Sequence, residues 1–175
     1  MSERCDNEIH IVLVEPNHPG DIGATARAMK TMGLSSLILV RPTRFPDPQA
    51  DWRAAGAIDV LDNAIVVDDI GAAIGSCGLV VGTSARTRRV PWPLIDARTG
   101  VRDLADGVAG GQPVAVLFGR ESSGLTSAEL AKCQWHLQIP ASPNYPTLNL
   151  AMAVQIVTYE LYLGANSSAD EPEWD

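Results

Sequence analysis

Six short, largely apolar runs separated by segments of helical character constrain most strongly how this chain can fold. The clearest are Ile9–Val14 and Val114–Phe118, in which His10 is the one polar residue. Apolar side chains at successive positions predict strands that are buried on both faces. The other runs are residues 37–40, 64–67, 78–82 and 135–139. Their alternation with helices predicts an α/β fold, with a mostly parallel sheet flanked by helices.

The first helix is predicted at residues 22–32, with Asp21 as a candidate N-cap and Gly33 as a candidate terminating residue. Shorter helices are predicted at residues 49–56, 69–75 and 125–132 and within residues 96–107.

The length and composition predict one domain. The chain has 175 residues, of which 46% are hydrophobic, so it can bury one substantial core but not two. We place the domain at residues 1–164. Residues 165–175 are polar and acidic, and we predict that this tail is disordered.

The last apolar segment, residues 148–163, predicts a long helix with almost no polar face. A helix that is apolar all round must be covered on more than one side. The core can cover one side, and a second copy of the chain can cover the other. We therefore predict a homodimer, the alternative being a helix enclosed wholly within one domain.

The first two loops after strands carry arginines that could contact phosphate. In the segment from His18 to Arg27, glycines are spaced G-x-x-G rather than G-x-G-x-x-G, which argues against a dinucleotide fold. Arg27 is either an ordinary surface residue of the following helix or a bidentate phosphate ligand. The segment 82–89 is either an ordinary polar loop or a second phosphate-binding loop, with Arg86, Arg88 and Arg89 as its cations.

The third and fourth loops carry small and polar residues at strand ends. Residues 119–125 resemble a phosphate-binding loop but lack its Lys-Ser/Thr pair, so we reject an NTPase. Residues 139–149 hold three prolines before the last helix. Thr147 could be the N-cap of that helix, or Thr147 and Asn149 could face a ligand.

Charge, cysteine and histidine usage narrow the class of protein further. The net charge is −8, but four of the acidic residues lie in the last six positions, so a local basic patch could still bind RNA. No apolar run could span a membrane, and the polar N-terminus does not resemble a signal peptide. The three cysteines are widely separated and the three histidines lack partners at ligand spacing. We expect a cytoplasmic protein with no membrane association and no metal site.

Four stretches together resemble the SPOUT superfamily of RNA methyltransferases, in particular its SpoU branch. They are IHIVLVEPNHPGDIGATARAMKTMGL, VVGTSARTRRVPWP, VAVLFGRESSGLT and TLNLAMAVQI, in that order and each at a predicted strand end. Within the branch, the chain is most similar to bacterial tRNA ribose methyltransferases that modify nucleotide 32 of the anticodon loop. The resemblance implies a C-terminal deep trefoil knot, a homodimer, tRNA as partner and S-adenosylmethionine as cofactor, with S-adenosylhomocysteine as product and no metal.

The same resemblance implies roles for individual residues. It implies a cofactor site built from three groups of residues: Thr83, Ser84 and Ala85; Gly119, Arg120 and Glu121; and Ile139, Pro146, Thr147 and Leu148. It implies catalytic roles for Arg27, Thr147 and Asn149, and RNA contacts by Arg27, Arg86, Arg88 and Arg89.

The chain departs from the family pattern at three places. Asp21 stands where many relatives have Asn, Thr147 stands where relatives often have Ser, and the chain lacks the helical extension that helps such enzymes hold tRNA. The sequence is therefore expected to be either a truncated form or a minimal member of the family. Two alternatives for the function also stay open: methylation of ribosomal RNA or of another tRNA position, and a knotted RNA-binding module without activity. A nicotinamide-dependent oxidoreductase is disfavoured by the broken glycine fingerprint.

Overall fold

A computed structural model of the chain describes residues 9–84, 94–98, 100, 104 and 111–166. The strands of this part are β1 (Ile9–Val14), β2 (Ser36–Val40), β3 (Ile65–Val67), β4 (Leu79–Ser84), β5 (Leu94–Asp96), β6 (Val114–Phe118) and β7 (Trp135–Gln138). The helices of the same part are α1 (Pro19–Thr31), α2 (Pro48–Ala54), α3 (Ile58–Asp62), α4 (Ile70–Ile74), α5 (Ser127–Leu130) and α6 (Leu150–Asn166), and a 3₁₀ turn spans Ala55–Ala57.

The strands form one sheet in the order β3-β2-β1-β6-β4-β7-β5, and every pair in it is parallel. The six apolar runs are all strands, so the prediction of a parallel sheet flanked by helices is confirmed. Strand β5 was not predicted, because three residues are too few to show a periodicity. Most of the helix predicted within residues 96–107 lies outside the described residues.

The core lies on both faces of the sheet, because alternate side chains of a strand point to opposite faces. Ile11 and Leu13 of β1 pack into the larger cluster, together with Ile22 of α1 and Val154 of α6. Val12 and Val14 face the smaller cluster, which includes Leu130 of α5. All four β1 residues are fully buried, as the continuous apolar run predicts.

Helix α1 begins three residues before the predicted start. The sequence suggested Asp21 as the N-cap and Ile22 as the first helical residue, and both predictions are wrong. Pro19 opens the helix, since its fixed φ suits the first helical position, and Asp21 lies in the first turn. Gly33 follows the helix with φ of +74°, so its predicted role in the termination is confirmed.

The other helices also differ from their predicted bounds. Helix α2 ends at Ala54 instead of continuing to Gly56, and Ala55 has a φ of +51°. Helix α3 was not predicted from the sequence. Helix α6 begins at Leu150 rather than Leu148 and extends to Asn166, past the predicted domain boundary at 164. The remainder of the predicted tail, residues 167–175, lies outside the described residues.

Gly23 lets α1 and α2 approach each other closely. A Cβ atom at this position would lie 2.0 Å from the carbonyl oxygen of Ala50 and 2.9 Å from Cβ of Arg53. Backbone atoms cannot yield as a flexible side chain can, so the helices would have to separate. The glycine therefore fixes α2 against the N-terminal half of α1.

We predict that Gly23→Ala lowers the free energy of unfolding by roughly 1–3 kcal/mol, because the added methyl group overpacks this contact. Gly56→Ala is the matched control, since a Cβ there would meet no atom within 4 Å. Its stability should stay within about 0.5 kcal/mol of the wild type. Urea unfolding followed by circular dichroism measures both, and equal stabilities for the two variants would contradict the packing argument.

Candidate active site

The four strand ends that carry the predicted site lie side by side, because β1, β6, β4 and β7 are consecutive in a parallel sheet. In the sheet, β1 has β2 and β3 on one side and β6 and β4 on the other. The order of the strands in the sheet therefore changes direction at β1. Ligands of open α/β sheets bind at the carboxyl edge near such a change of direction. The topology therefore places the loops after these strands in one binding region.

A cleft opens at this edge and encloses about 750 Å³ of space that is continuous with solvent. We call it the cofactor cleft. Its walls bring together eight of the predicted cofactor residues: Thr83, Ser84, Gly119, Arg120, Glu121, Ile139, Thr147 and Leu148. The sequence analysis did not assign its further lining residues to the site: Phe118, Ser122, Ser123, Gly124, Leu125, Leu130, Leu150 and Ala153. Their apolar members are indistinguishable from core residues in sequence.

The loop after β6 is folded tightly against itself. Gly124 N–H donates to the Arg120 carbonyl at 2.8 Å, and Arg120 N–H donates to the Gly124 carbonyl at 3.3 Å. A Cβ at Gly119 would lie 2.1 Å from the carbonyl carbon of Gly124, while Gly124 itself has φ of +69°. Both positions thus require glycine, one for close approach and one for a left-handed backbone. The result is a wall of the cleft in which main chain is exposed to a ligand.

The Arg120 side chain is held between two carboxylates. It forms ion pairs with Glu15, at the end of β1, and with Glu129 of α5, the latter at 2.7 Å. Glu15 also pairs with Arg41 at 3.2 Å and has a left-handed φ of +50°. The charge of Arg120 is therefore neutralised within the chain.

The pKa values of the Arg120–Glu129 pair move in the directions expected for mutual stabilisation. The hydrogen bond to Glu129 raises the pKa of Arg120, and the bond to Glu15 adds to this. Burial disfavours the Glu129 carboxylate, but hydrogen bonds from Arg120 and Thr126 outweigh that effect and hold its pKa below the usual value. Thr126 and Glu129 also form the capping box that starts α5. Both groups of the pair are ionised at neutral pH.

The side chains of two other predicted cofactor residues also form hydrogen bonds within the chain. The Glu121 carboxylate accepts hydrogen bonds from the backbone N–H groups of Asn17 and His18, at 3.0 and 3.1 Å. The Thr83 hydroxyl donates to the Leu117 carbonyl at 2.8 Å. Glu121 therefore ties the loop after β1 to the loop after β6, and Thr83 ties β4 to β6.

Asn149, and not Thr147, caps α6. Its side-chain oxygen accepts from the N–H of Ala151 at 3.0 Å and from the N–H of Met152 at 3.4 Å. Its amide nitrogen donates to Asp21 at 3.0 Å. The alternative that made Thr147 the N-cap is thus wrong. Thr147 is exposed and lines the cofactor cleft.

A second cleft lies beside the first, between the N-terminal turn of α1, helix α2 and the start of α6. It encloses about 600 Å³ of space open to solvent and is lined by His18, Gly20, Asp21, Gln49, Arg53 and Asn149. We call it the Arg53 cleft. The sequence analysis assigned neither Gln49 nor Arg53 to a site. Their spacing of four residues on one short helix was the available signal, because such residues share a face.

Arg27 is exposed on α1 and is not among the described residues that line either cleft. It follows Asp21 by six residues, which puts it about 9 Å further along the helix and about 120° around it. Within one chain, the structure therefore does not bring Arg27 together with Thr147.

The remaining predicted site residues divide into two groups. Pro146 is described but is not among the residues that line the cofactor cleft. Ala85, Arg86, Arg88 and Arg89 lie outside the described residues.

Within the described part of the chain, no group of three His, Cys, Asp or Glu residues could hold a metal ion. None of its helices is long and apolar enough to cross a membrane.

The chain is similar to proteins of known sequence and structure over nearly its whole length. It is 56% identical over 156 residues to the tRNA (cytidine/uridine-2′-O-)-methyltransferase TrmJ of Sodalis glossinidius. That match covers 89% of this chain but 60% of the relative, so the chain spans less than two thirds of that protein's length.

Two solved structures show the same fold. A probable methylase family protein from Haemophilus influenzae matches with a TM-score of 0.87 at 46% identity, covering 100% of this chain and 73% of that one. The SpoU methyltransferase AviRb from Streptomyces viridochromogenes, in complex with its cofactor AdoMet, matches with a TM-score of 0.71 at 23% identity. This second match covers 93% of this chain and 59% of AviRb, and it bears on the fold alone.

The model of the SpoU rRNA Methylase family matches residues 8–159. This range contains every residue that lines the two clefts. The chain belongs to the SpoU methylase family.

Proposed function

We propose that this chain transfers a methyl group from S-adenosylmethionine to a ribose 2′-oxygen of tRNA. The observation that carries the proposal is the cofactor cleft. The loop after β6 offers main-chain groups to a ligand there, and the charge of Arg120 in this loop is neutralised by two carboxylates. The high identity to a TrmJ protein supports both the reaction and tRNA as the substrate class. We further propose that the enzyme acts in the cytoplasm.

The residues of the cofactor cleft fit S-adenosylmethionine by shape and by charge. Leu125, Ile139 and Leu148 offer apolar surface for a flat adenine ring, and the glycine loop leaves room for a ligand to contact main chain. Arg120 is matched by two carboxylates, and Glu121 adds another negative charge. Such a cleft favours a cationic sulfonium over a phosphate, which argues against a dinucleotide or nucleotide triphosphate.

We propose that the C-terminal part of the sheet contains the deep trefoil knot implied by the family. Its support is the strand order, in which β7 lies between β4 and β5, two strands that precede it in the chain. The segment after β7 then supplies Ile139, Thr147 and Leu148 to the cleft. The predicted domain, residues 1–164, would thus contain both the knot and the cleft.

We propose nucleotide 32 of the anticodon loop as the target and cytidine or uridine as the base. The support is the resemblance to TrmJ proteins. Methylation of ribosomal RNA is the second candidate, because the family to which the chain belongs is named as a family of rRNA methylases. We propose that Arg86, Arg88 and Arg89 contact the RNA backbone, since they follow directly on a strand that forms a cleft wall.

We propose that the active unit is a homodimer in which each chain supplies Arg27 to the cleft of its partner. Helix α6 exposes a stripe of apolar side chains, namely Met152, Tyr159 and Leu163, of which Met152 is 62% exposed. Their spacing places them along one side of the helix, where a second copy could cover them. This arrangement would bring Arg27 to a cleft that it does not line within its own chain.

In the proposed mechanism, bound S-adenosylmethionine supplies an electrophilic methyl group on its sulfonium sulfur. The ribose 2′-oxygen would attack this carbon in line while the carbon–sulfur bond breaks, and S-adenosylhomocysteine would leave from the cofactor cleft. Thr147 lines the cofactor cleft and Asn149 lines the neighbouring Arg53 cleft, so we propose that the ribose enters between these two residues. Arg27 binds the ribose and its phosphate. A guanidinium carries donors and no acceptor, which makes it a poor base, so the 2′-hydroxyl proton passes to phosphate or to water.

We predict that Gly119→Ala weakens S-adenosylmethionine binding at least about tenfold. The added Cβ would collide with Gly124 and push open the loop that forms the cleft wall. Calorimetry measures the dissociation constant, and Gly56→Ala serves as a control outside the site. Unchanged affinity in Gly119→Ala would contradict the placement of the cofactor.

We predict that Arg27→Ala lowers the turnover number roughly a hundredfold while cofactor affinity is kept. If Arg27 acts across the dimer, mixing Arg27→Ala chains with Gly119→Ala chains restores part of the activity. Each mixed dimer then has one cleft with an intact glycine loop and an intact Arg27 from its partner. Methyl transfer to tRNA, measured after the chains are unfolded and refolded together, detects this restoration. Its absence, with mixed dimers shown to form, would place Arg27 in its own chain's site.

A further inference from the structure

The Arg53 cleft has a polar lining that the proposed methyl transfer leaves without a ligand. Its walls come from three separate parts of the chain: the turn that opens α1, helix α2 and the start of α6. Gly23 lets α2 lie directly against α1, and side-chain atoms of Gln49 and Arg53 lie within van der Waals distance of the place where a Cβ of Gly20 would be, at 3.5 and 3.6 Å. The cleft is therefore fixed by helix packing rather than by a loop.

Two links join this cleft to the cofactor cleft. Thr147 lines the cofactor cleft and Asn149 lines the Arg53 cleft, so the two walls are at most about 7 Å apart along the chain. On the other side, Glu121 of the cofactor cleft accepts a hydrogen bond from the backbone of His18, which lines the Arg53 cleft. A ligand in one cleft lies next to a ligand in the other.

The lining groups match the edges of a nucleobase and its phosphate. Gln49 and Asn149 each carry an amide that can donate and accept, and His18 can do either. The Asn149 amide is held in one orientation, because it caps α6 with its oxygen and donates to Asp21 with its nitrogen. Arg53 is exposed and forms no ion pair with any residue in the described ranges, so its guanidinium is available to a phosphate.

Trp52 offers an exposed aromatic surface on the helix that carries Gln49 and Arg53, although it is not among the residues that line the cleft. It precedes Arg53 on α2 and is 78% exposed, which leaves most of its ring in solvent. The residue follows Gln49 by three positions and therefore lies near the face that carries Gln49 and Arg53. Exposed aromatic rings beside arginine and amide groups are the means by which proteins hold unpaired RNA bases.

We propose that the Arg53 cleft binds an unpaired nucleotide of the RNA substrate, the one next to the nucleotide that is methylated. Trp52 stacks on its base, Arg53 binds its phosphate, and Gln49 contacts the edge of the base. This inference rests on the proposed function and extends it, because it names the residues that read the sequence beside the target. Asp21 also lines this cleft, where its carboxylate accepts a hydrogen bond from the Asn149 amide, and Arg53 supplies the opposite charge that a phosphate requires.

The test compares Trp52→Ala, Arg53→Ala and wild type for binding of an RNA hairpin that carries the anticodon stem and loop. Fluorescence anisotropy of the labelled hairpin gives the dissociation constant, and methyl transfer gives KM and kcat. We expect each variant to raise the dissociation constant and KM roughly tenfold, with kcat within about twofold. Trp52→Phe should recover most of the loss, because the stacking surface remains.

Lys132→Ala is the charge-matched control, since Lys132 is exposed and lies before β7, at the opposite edge of the sheet. Calorimetry should show unchanged S-adenosylmethionine affinity in every variant. The inference is overturned if Trp52→Ala and Arg53→Ala bind the hairpin as Lys132→Ala does, if the wild type does not bind it, or if Trp52→Ala changes the oligomeric state. A wild type that binds the hairpin through these residues but transfers no methyl group would instead overturn the proposed function.

Discussion

The ion-pair network around Arg120 is the interaction on which the architecture of the candidate site depends. It joins the end of β1, the loop after β6 and the start of α5, which are distant in sequence and meet at the carboxyl edge of the sheet. Glu129 is nearly buried, so removal of Arg120 would leave a carboxylate without its cation in a poorly solvated place. The capping box of α5 uses the same carboxylate. The network thus fixes the position of the Gly119–Gly124 loop relative to both neighbouring elements.

The same network determines what the cleft can bind. An unpaired arginine at a strand end would attract phosphate, as the loops of nucleotide-binding proteins do. Here Arg120 is satisfied, Glu121 binds the backbone of the neighbouring loop, and the Thr83 hydroxyl donates to a carbonyl. Main-chain groups and apolar side chains remain for the ligand. Under the proposed function, the RNA contacts are made elsewhere, by Arg27 and by the Arg53 cleft, and an acidic chain can make such contacts when it concentrates its cations locally.

The strands and the position of the site could be predicted from the sequence, since runs such as Val114–Phe118 have one structural interpretation in a chain of this kind. The resemblance then identified eight residues that line the cofactor cleft. Local chemistry was less predictable. Either Thr147 or Asn149 could cap a helix, and only the start of α6 at Leu150 decides between them. The pairing of Arg120 with Glu15 joins residues 105 positions apart, and no local pattern reveals such a contact.

The most direct measurement of the central claim is the identity of the product. The chain is incubated with methyl-labelled S-adenosylmethionine and tRNA that lacks the modification, and the digested tRNA is separated into nucleosides for mass spectrometry. We predict that the label resides on the ribose 2′-oxygen of a cytidine or uridine from the anticodon loop. A label on a nucleobase, or no transfer by a protein that calorimetry shows to bind the cofactor, would contradict the claim.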